Sequence, residues 1–139
     1  MENCIFCKIA NGEIPSATLY EDEDFRVILD LGPASKGHAL ILPKAHAANI
    51  YELPDETAGK QMILPNIWQP GSETDCTVTG LTLYRIMEKL PVRLYFISIL
   101  HLIPRYEGDQ VWTYMKPGEL TDEMKEENPG KSQSIKKRS

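Results

Sequence analysis

The chain has little that would carry it to a membrane, to nucleic acid or out of the cell. No apolar run approaches the roughly 20 residues needed to span a bilayer, so no membrane segment is expected. Basic charge is in short supply. The 139 residues carry a net charge of -5, which argues against a nucleic-acid surface with its basic face. The opening Met1-Glu2-Asn3-Cys4 lacks the basic and then apolar pattern of a secretion signal, so a cytoplasmic location is expected. Only three cysteines are present, and in a reducing compartment they stay as thiols, which leaves no role for structural disulfides. What is there suits one soluble domain with a real core: 42% hydrophobic and 25% charged residues.

Taken in order, the first 60 residues read as a meander of short strands followed by a helix. Cys4 and Cys7 lie three residues apart, a spacing that suits a metal ion, a redox pair or two buried small residues. Thr18-Leu19-Tyr20-Glu21 is a strand leading into the acidic turn Asp22-Glu23-Asp24. Phe25 to Asp30 is a second strand, β-branched and apolar. The segment 31–37 carries glycine and proline punctuation, and His38 to Pro43 is apolar enough for a central strand. Asp55-Glu56 opens a helix with acidic residues in its first turn, and Pro65 is expected to break or kink it.

Beyond about Gln61 this local logic fails until Leu100. Asn66 to Thr79 shows neither helical nor strand periodicity. After Leu100 it returns, with His101-Leu102-Ile103-Pro104-Arg105-Tyr106 and later Lys116-Pro117-Gly118-Glu119-Leu120. Near the end, Glu123 to Glu127 is helix-compatible, and Asn128-Pro129-Gly130 stops it. Residues 1–127 therefore form the expected domain, and the polar, basic 128–139 a disordered tail.

The Cys-Ile-Phe-Cys-Lys-Ile opening, the Leu-Tyr-Glu-Asp strand, the Leu-Pro-Lys-x-His ending at His46 and the run His101 to Tyr106 together resemble the histidine-triad (HIT) family. The resemblance implies an α+β fold: an antiparallel sheet with packed helices, in a homodimer. It also implies hydrolysis of purine nucleoside phosphoramidates or related nucleotides through a nucleotidyl-histidine intermediate. The family signature is His-x-His-x-His, and alternation along a strand puts all three imidazoles on one face. Here those positions hold Ile97, Ile99 and His101, so the nucleophile's place is taken by Ile99 and the first histidine's by Ile97. The glycine-rich phosphate loop that precedes the triad is also missing, which leaves the central strand and loop disrupted in the sequence as written.

The resemblance assigns His101 to the phosphate and His38 to a place behind the triad. On spacing alone, His38 reads equally as a satisfied core histidine and Asp30 as a residue ending a strand in a turn. By resemblance Asp30 binds ribose, with Phe25 and Leu31 flanking the base. Some bacterial members hold structural zinc through residues matching Cys4, Cys7 and His46. The fourth ligand falls at Ile97, so weakened zinc binding is expected.

A shifted reading frame explains the broken stretch. New codons can be formed from the third base of one residue's codon and the first two bases of the next. From the Asp75/Cys76 junction to the Ser98/Ile99 junction, they admit a peptide ending Gln-Asn-Asn-Gly-Glu-Ala-Ala-Gly-Gln-Thr-Val-Phe-His-Phe-His. It joins Leu100-His101 directly and completes the loop and the triad. Third bases are mostly free, but two bases of every new codon are fixed. A shift the other way from Asn128 extends the last helix. The expectation is a histidine-triad gene with base insertions or deletions around residues 61–100 and at the C-terminus. The alternative is a diverged relative that replaced its central strand.

Overall fold

A computed structural model describes residues 4–47, 51–67, 78–85, 98–111 and 115–127. Ile97, Cys76 and the expected tail at 128–139 lie outside the described residues, as do 68–77 and 86–97 of the broken stretch.

Thr18–Glu21 (β1) and Phe25–Leu29 (β2) form a hairpin. Its turn is closed by Asp22, whose Oδ1 accepts from the amides of Asp24 and Phe25, each at 2.8 Å. Such a carboxylate does the work of a backbone turn. Ala39–Pro43 (β3) pairs with β2, and Leu100–Tyr106 (β5) pairs with β3. Val78–Tyr84 (β4) closes the sheet on the far side of β5. All neighbours are antiparallel and the order is β1-β2-β3-β5-β4. The expected α+β architecture is the one observed.

Strand alternation sorts side chains onto two faces. One face gathers Phe25, Val27, Ala39, Ile41, Leu100 and Leu102 under Leu64 of the helix Asp55–Ile67 (α2). The other gathers Ile28, Leu40 and Leu42 under Ala10 of the short helix Ile5–Ala10 (α1), with Ile99 packed alongside. Every residue of β3 is buried, as a strand covered on both faces must be. Full burial of one such aliphatic side chain contributes about 1.5–3 kcal/mol.

Three elements depart from the sequence reading. The helix that starts at Asp55 does not break at Pro65. It runs two residues further, to Ile67. β4 begins at Val78 inside the stretch read as aperiodic, because Val78, Thr79, Thr82 and Tyr84 suit a pleated surface whatever their pattern. It bulges between Val78 and Gly80. α1 was not anticipated: its N-cap is Cys4, whose sulfur accepts from the Cys7 amide at 3.4 Å. The last helix is Asp122–Glu127 (α3), which starts one residue before the span expected to be helical.

Candidate active site and metal centre

Pairing across the sheet aligns Ile28 with Leu40, Leu40 with His101 and His101 with Tyr84. The histidine therefore stands in a row on the α1 face. Asp30 and His38 sit at the edge of the same face, where the Asp30 amide donates to the His38 carbonyl at 2.9 Å. His38 Nε2 lies 3.0 Å from His101 Nδ1 and 3.6 Å from Asp30 Oδ2. The structure thus brings His101 against Asp30 and His38, more than 60 residues away in sequence.

The direction of these bonds follows from one backbone group. The Ala34 amide donates to His38 Nδ1 at 3.0 Å, so that nitrogen carries a lone pair and Nε2 carries the hydrogen. Nε2–H then donates to His101 Nδ1, which leaves the His101 hydrogen on Nε2. Burial pushes the His38 pKa below its ordinary value, and the Asp30 carboxylate only partly offsets this, which favours the neutral ring. Although Asp30, His38 and His101 offer donor atoms within 4.8 Å of one another, His38 Nε2 is engaged as a donor, and the trio suits a relay better than a metal.

The remaining candidates divide. Asp30 spends Oδ1 on the Gly32 amide at 2.8 Å, so it does serve as the turn residue that spacing alone suggested, with Oδ2 left facing His38. Leu31 is fully exposed and encloses nothing in this chain by itself. Phe25 requires a correction. It is 0% exposed in the core on the opposite face of the sheet, so it cannot wall a slot beside Asp30. Alternation carries the reason, since Phe25 and Asp30 are an odd number of residues apart. Ile28, two before Asp30, is the apolar residue on the correct face. Tyr84 was also missed. Its ring stacks on His101 with centroids 4.5 Å apart and planes 25° from parallel.

Ile99 lies one residue before β5, half-buried against Cys4 and Cys7 and against the α1-face core. It offers neither a lone pair nor a proton.

Cys4, Cys7 and His46 converge at the α1 end of the same face, with ligand atoms within 4.8 Å of one another. Cys7 Sγ is 2.9 Å from His46 Nδ1. Burial, with the Cys4 sulfur adding to it, pushes the Cys7 thiol up to about 12, so a metal entering here displaces protons. Soft sulfur donors plus an imidazole fit zinc. Among the described residues the donor set stops at three.

A family model described as "Scavenger mRNA decapping enzyme C-term binding" matches residues 3–72. The protein named "Protein hit" from Bacillus subtilis is 41% identical over 110 residues, 78% of this chain and 75% of its own. The chain belongs to the histidine-triad family. A HIT-family protein structure from Bacillus anthracis superimposes with a TM-score of 0.80 at 30% identity, covering 97% of this chain and 99% of that one. A zinc-bound histidine-triad family protein from Mycobacterium smegmatis gives a TM-score of 0.69 at 32% identity, covering 84% and 85%. The adenosine 5'-monophosphoramidase hnt1 of Schizosaccharomyces pombe is 51% identical over 63 residues, 45% of this chain and 46% of its own. Among the described residues of this histidine-triad protein, no helix is long and apolar enough to cross a membrane.

Proposed function

We propose that this chain descends from a cytoplasmic hydrolase of purine nucleoside phosphoramidates or related nucleotides, and that as written it is impaired. The observation that carries this reading is the assembled Asp30–His38–His101 constellation beside an isoleucine at position 99. The phosphoramidase activity in the name of the Schizosaccharomyces pombe relative supports the substrate class.

In the intact reaction an imidazole at position 99 attacks the α-phosphorus. The P–N bond to the amine breaks, the amine leaves with a proton, and a nucleotidyl-histidine forms. Water then attacks phosphorus, the P–N(His) bond breaks, and the nucleoside monophosphate departs. Two modest displacements replace one difficult step. His101, with its hydrogen on Nε2, would donate to a non-bridging phosphate oxygen and stabilise the charge that develops there. Asp30 would accept from a ribose hydroxyl through Oδ2, and Leu31 would gain cover from the base. Isoleucine at position 99 removes the first step entirely.

The frame-shifted origin of the broken stretch is part of the proposal. Four buried side-chain polar atoms among the described residues lack a hydrogen-bond partner: Arg26 Nε, Arg85 Nε, Arg85 Nη1 and Ser98 Oγ. Three of them fall in the stretch where the alternative frame yields the family peptide. Such groups cost free energy, and their concentration there supports a segment not selected for this fold.

A second reading, an inactive nucleotide-binding protein, is favoured by the intact Asp30–His38–His101 geometry. A third, a translated lesion that fails to fold, is favoured by the Arg85 guanidinium, buried beside Gln61 with two nitrogens unpartnered. Cys4, Cys7 and His46 would hold zinc, which supplies a structural cross-link between α1 and the end of β3. With Ile97 in the fourth place that binding is weakened. Exposed Met62 and Ile63 on α2 support a homodimer, which sedimentation would test.

The deciding experiment is to resequence the gene across residues 60–139 and assay turnover of adenosine 5'-phosphoramidate by the protein as written. Turnover with Ile99 in place sinks the impairment. A gene that reads the triad frame without interruption makes the written stretch an error and the protein a working hydrolase, whereas confirmed insertions leave the chain without its nucleophile. Nucleotide binding without turnover selects the second reading, and the lack of a cooperative melt selects the third.

A further inference from the structure

The turn at 31–37 is exposed along most of its length, yet it delivers the one amide that orders the histidine pair. Two clasps hold it against β5. Ser35 Oγ donates to the Pro104 carbonyl at 2.6 Å, and Tyr106 OH donates to the Lys36 carbonyl at 2.6 Å. Between these clasps and the ring, the His38 amide donates to the Ser35 carbonyl at 3.1 Å, which folds the turn back over its own exit. Gly37 has φ +90, a left-handed conformation that glycine adopts freely. A Cβ there would stand 3.3 Å from Pro104 Cγ and 3.9 Å from the Tyr106 hydroxyl, so the turn approaches β5 too closely for a side chain to fit without displacement. Ala34 itself makes its only described tie through the amide to His38 Nδ1.

We infer that Ser35 and Tyr106 are positioning residues: by clasping the turn to β5 they aim the Ala34 amide at His38, and so select which nitrogen of His38, and then of His101, carries the hydrogen. Without that amide the His38 Nδ1 loses its donor, and only the Asp30 carboxylate, 3.6 Å from Nε2, still favours Nε2–H on the neutral ring; a flip of its tautomer sets two lone pairs against each other across the 3.0 Å gap to His101. His101 then answers by reversing its own tautomer, and the nitrogen turned away from His38 becomes an acceptor. An acceptor there repels a phosphate oxygen where a donor attracts it. This consequence for phosphate rests on the function proposed above. The tautomer selection does not, because it is a property of the free chain.

Only three histidines are present, so each ring can be assigned by single His→Gln substitution in the full 15N-labelled chain. Long-range 1H–15N correlation at about pH 8, above the ordinary imidazole range, reports the protonated nitrogen of each neutral ring. The expected pattern is Nε2–H for both His38 and His101. In the double variant Ser35→Ala/Tyr106→Phe, both rings are expected to become mixtures of tautomers while His46 is unchanged. Ser35→Thr, which keeps the hydroxyl, should preserve the parent pattern. Nδ1–H on His38 in the parent overturns the inference, and so does a double variant whose pattern matches the parent. If the double variant loses its cooperative melt, Tyr106→Phe alone decides by the same criterion. Absence of turnover after the triad segment is restored would sink the proposed function and leave this pattern untouched.

Discussion

β3 and β4 flank the same strand, β5, and they differ in how well the sequence serves the structure. β3 is buried along its whole length, its odd and even residues fill separate cores, and both its neighbours hold it in unbroken register. β4 is bulged, with Thr79, Gly80, Leu83 and Tyr84 exposed, and it leads into Arg85 with its unpartnered nitrogens. β4 is held by backbone pairing with few side chains, Leu81 on the core and Tyr84 on the His101 ring, whereas every side chain of β3 is buried. The comparison separates fold from fitness for the fold.

The strongest way to break that contrast is to replace residues 76–99 with the peptide of the alternative frame. Turnover of adenosine 5'-phosphoramidate should rise from background by on the order of 10⁴ to 10⁶-fold, the scale lost when a covalent nucleophile is removed. A replaced chain that melts cooperatively, binds nucleotide and still shows no turnover would contradict it.

Next in size is core truncation on either side of β5. Ile41→Ala in β3 should cost about 2–5 kcal/mol in denaturant unfolding. Leu83→Ala in β4, where the side chain is 40% exposed, should stay within about 0.5 kcal/mol. Equal losses at the two sites would mean that β4 packs as well as β3.

Two serines give effects of opposite sign. Ser98 Oγ is buried without a partner, so Ser98→Ala should raise stability by about 1 kcal/mol. Ser35 donates to Pro104, and Ser35→Ala should lower it by a similar amount. Thermal or urea midpoints measured side by side settle the pair.

The smallest expected effect is a slope. His38 has its folded pKa lowered by burial, so the unfolded chain binds its proton first as pH falls. Stability from this group is complete above the ordinary imidazole range and declines as pH drops through that range toward the folded pKa. Unfolding midpoints measured on either side of the imidazole range should therefore fall on acidification, and His38→Gln should flatten the fall.

The strands of the first half were legible because composition, punctuation and alternation agreed there. β1 and β2 appear where the Tyr20 and Val27 runs put them, and α2 begins at Asp55. α1 was hidden because six residues hold too little periodicity, and its start depends on a cysteine acting as cap. The burial of Phe25 away from Asp30 is legible in the sequence, because five residues of a strand separate them and alternation puts them on opposite faces. The Ala34 amide and the Tyr84 ring had no signal at all. One is backbone, and the other meets His101 only through a pairing across the sheet. That an isoleucine stands at position 99, where the proposed reaction needs an imidazole, is read from the sequence alone.

Asn11 has a consequence for metal exchange. Its side-chain amide reaches the Cys7 carbonyl at 2.8 Å and the Lys44 carbonyl at 3.3 Å, joining the segment that carries the two thiols to the one that carries His46. The tie adds to the packing of Ala10 on Leu40 and Leu42, which already closes this loop of about 40 residues and meets its entropic cost. With this splint in place, an ion can enter or leave by local breathing of a preformed cradle. For the zinc site proposed above, the rate of exchange should then depend on these two hydrogen bonds of Asn11, and the domain need not unfold for the ion to escape.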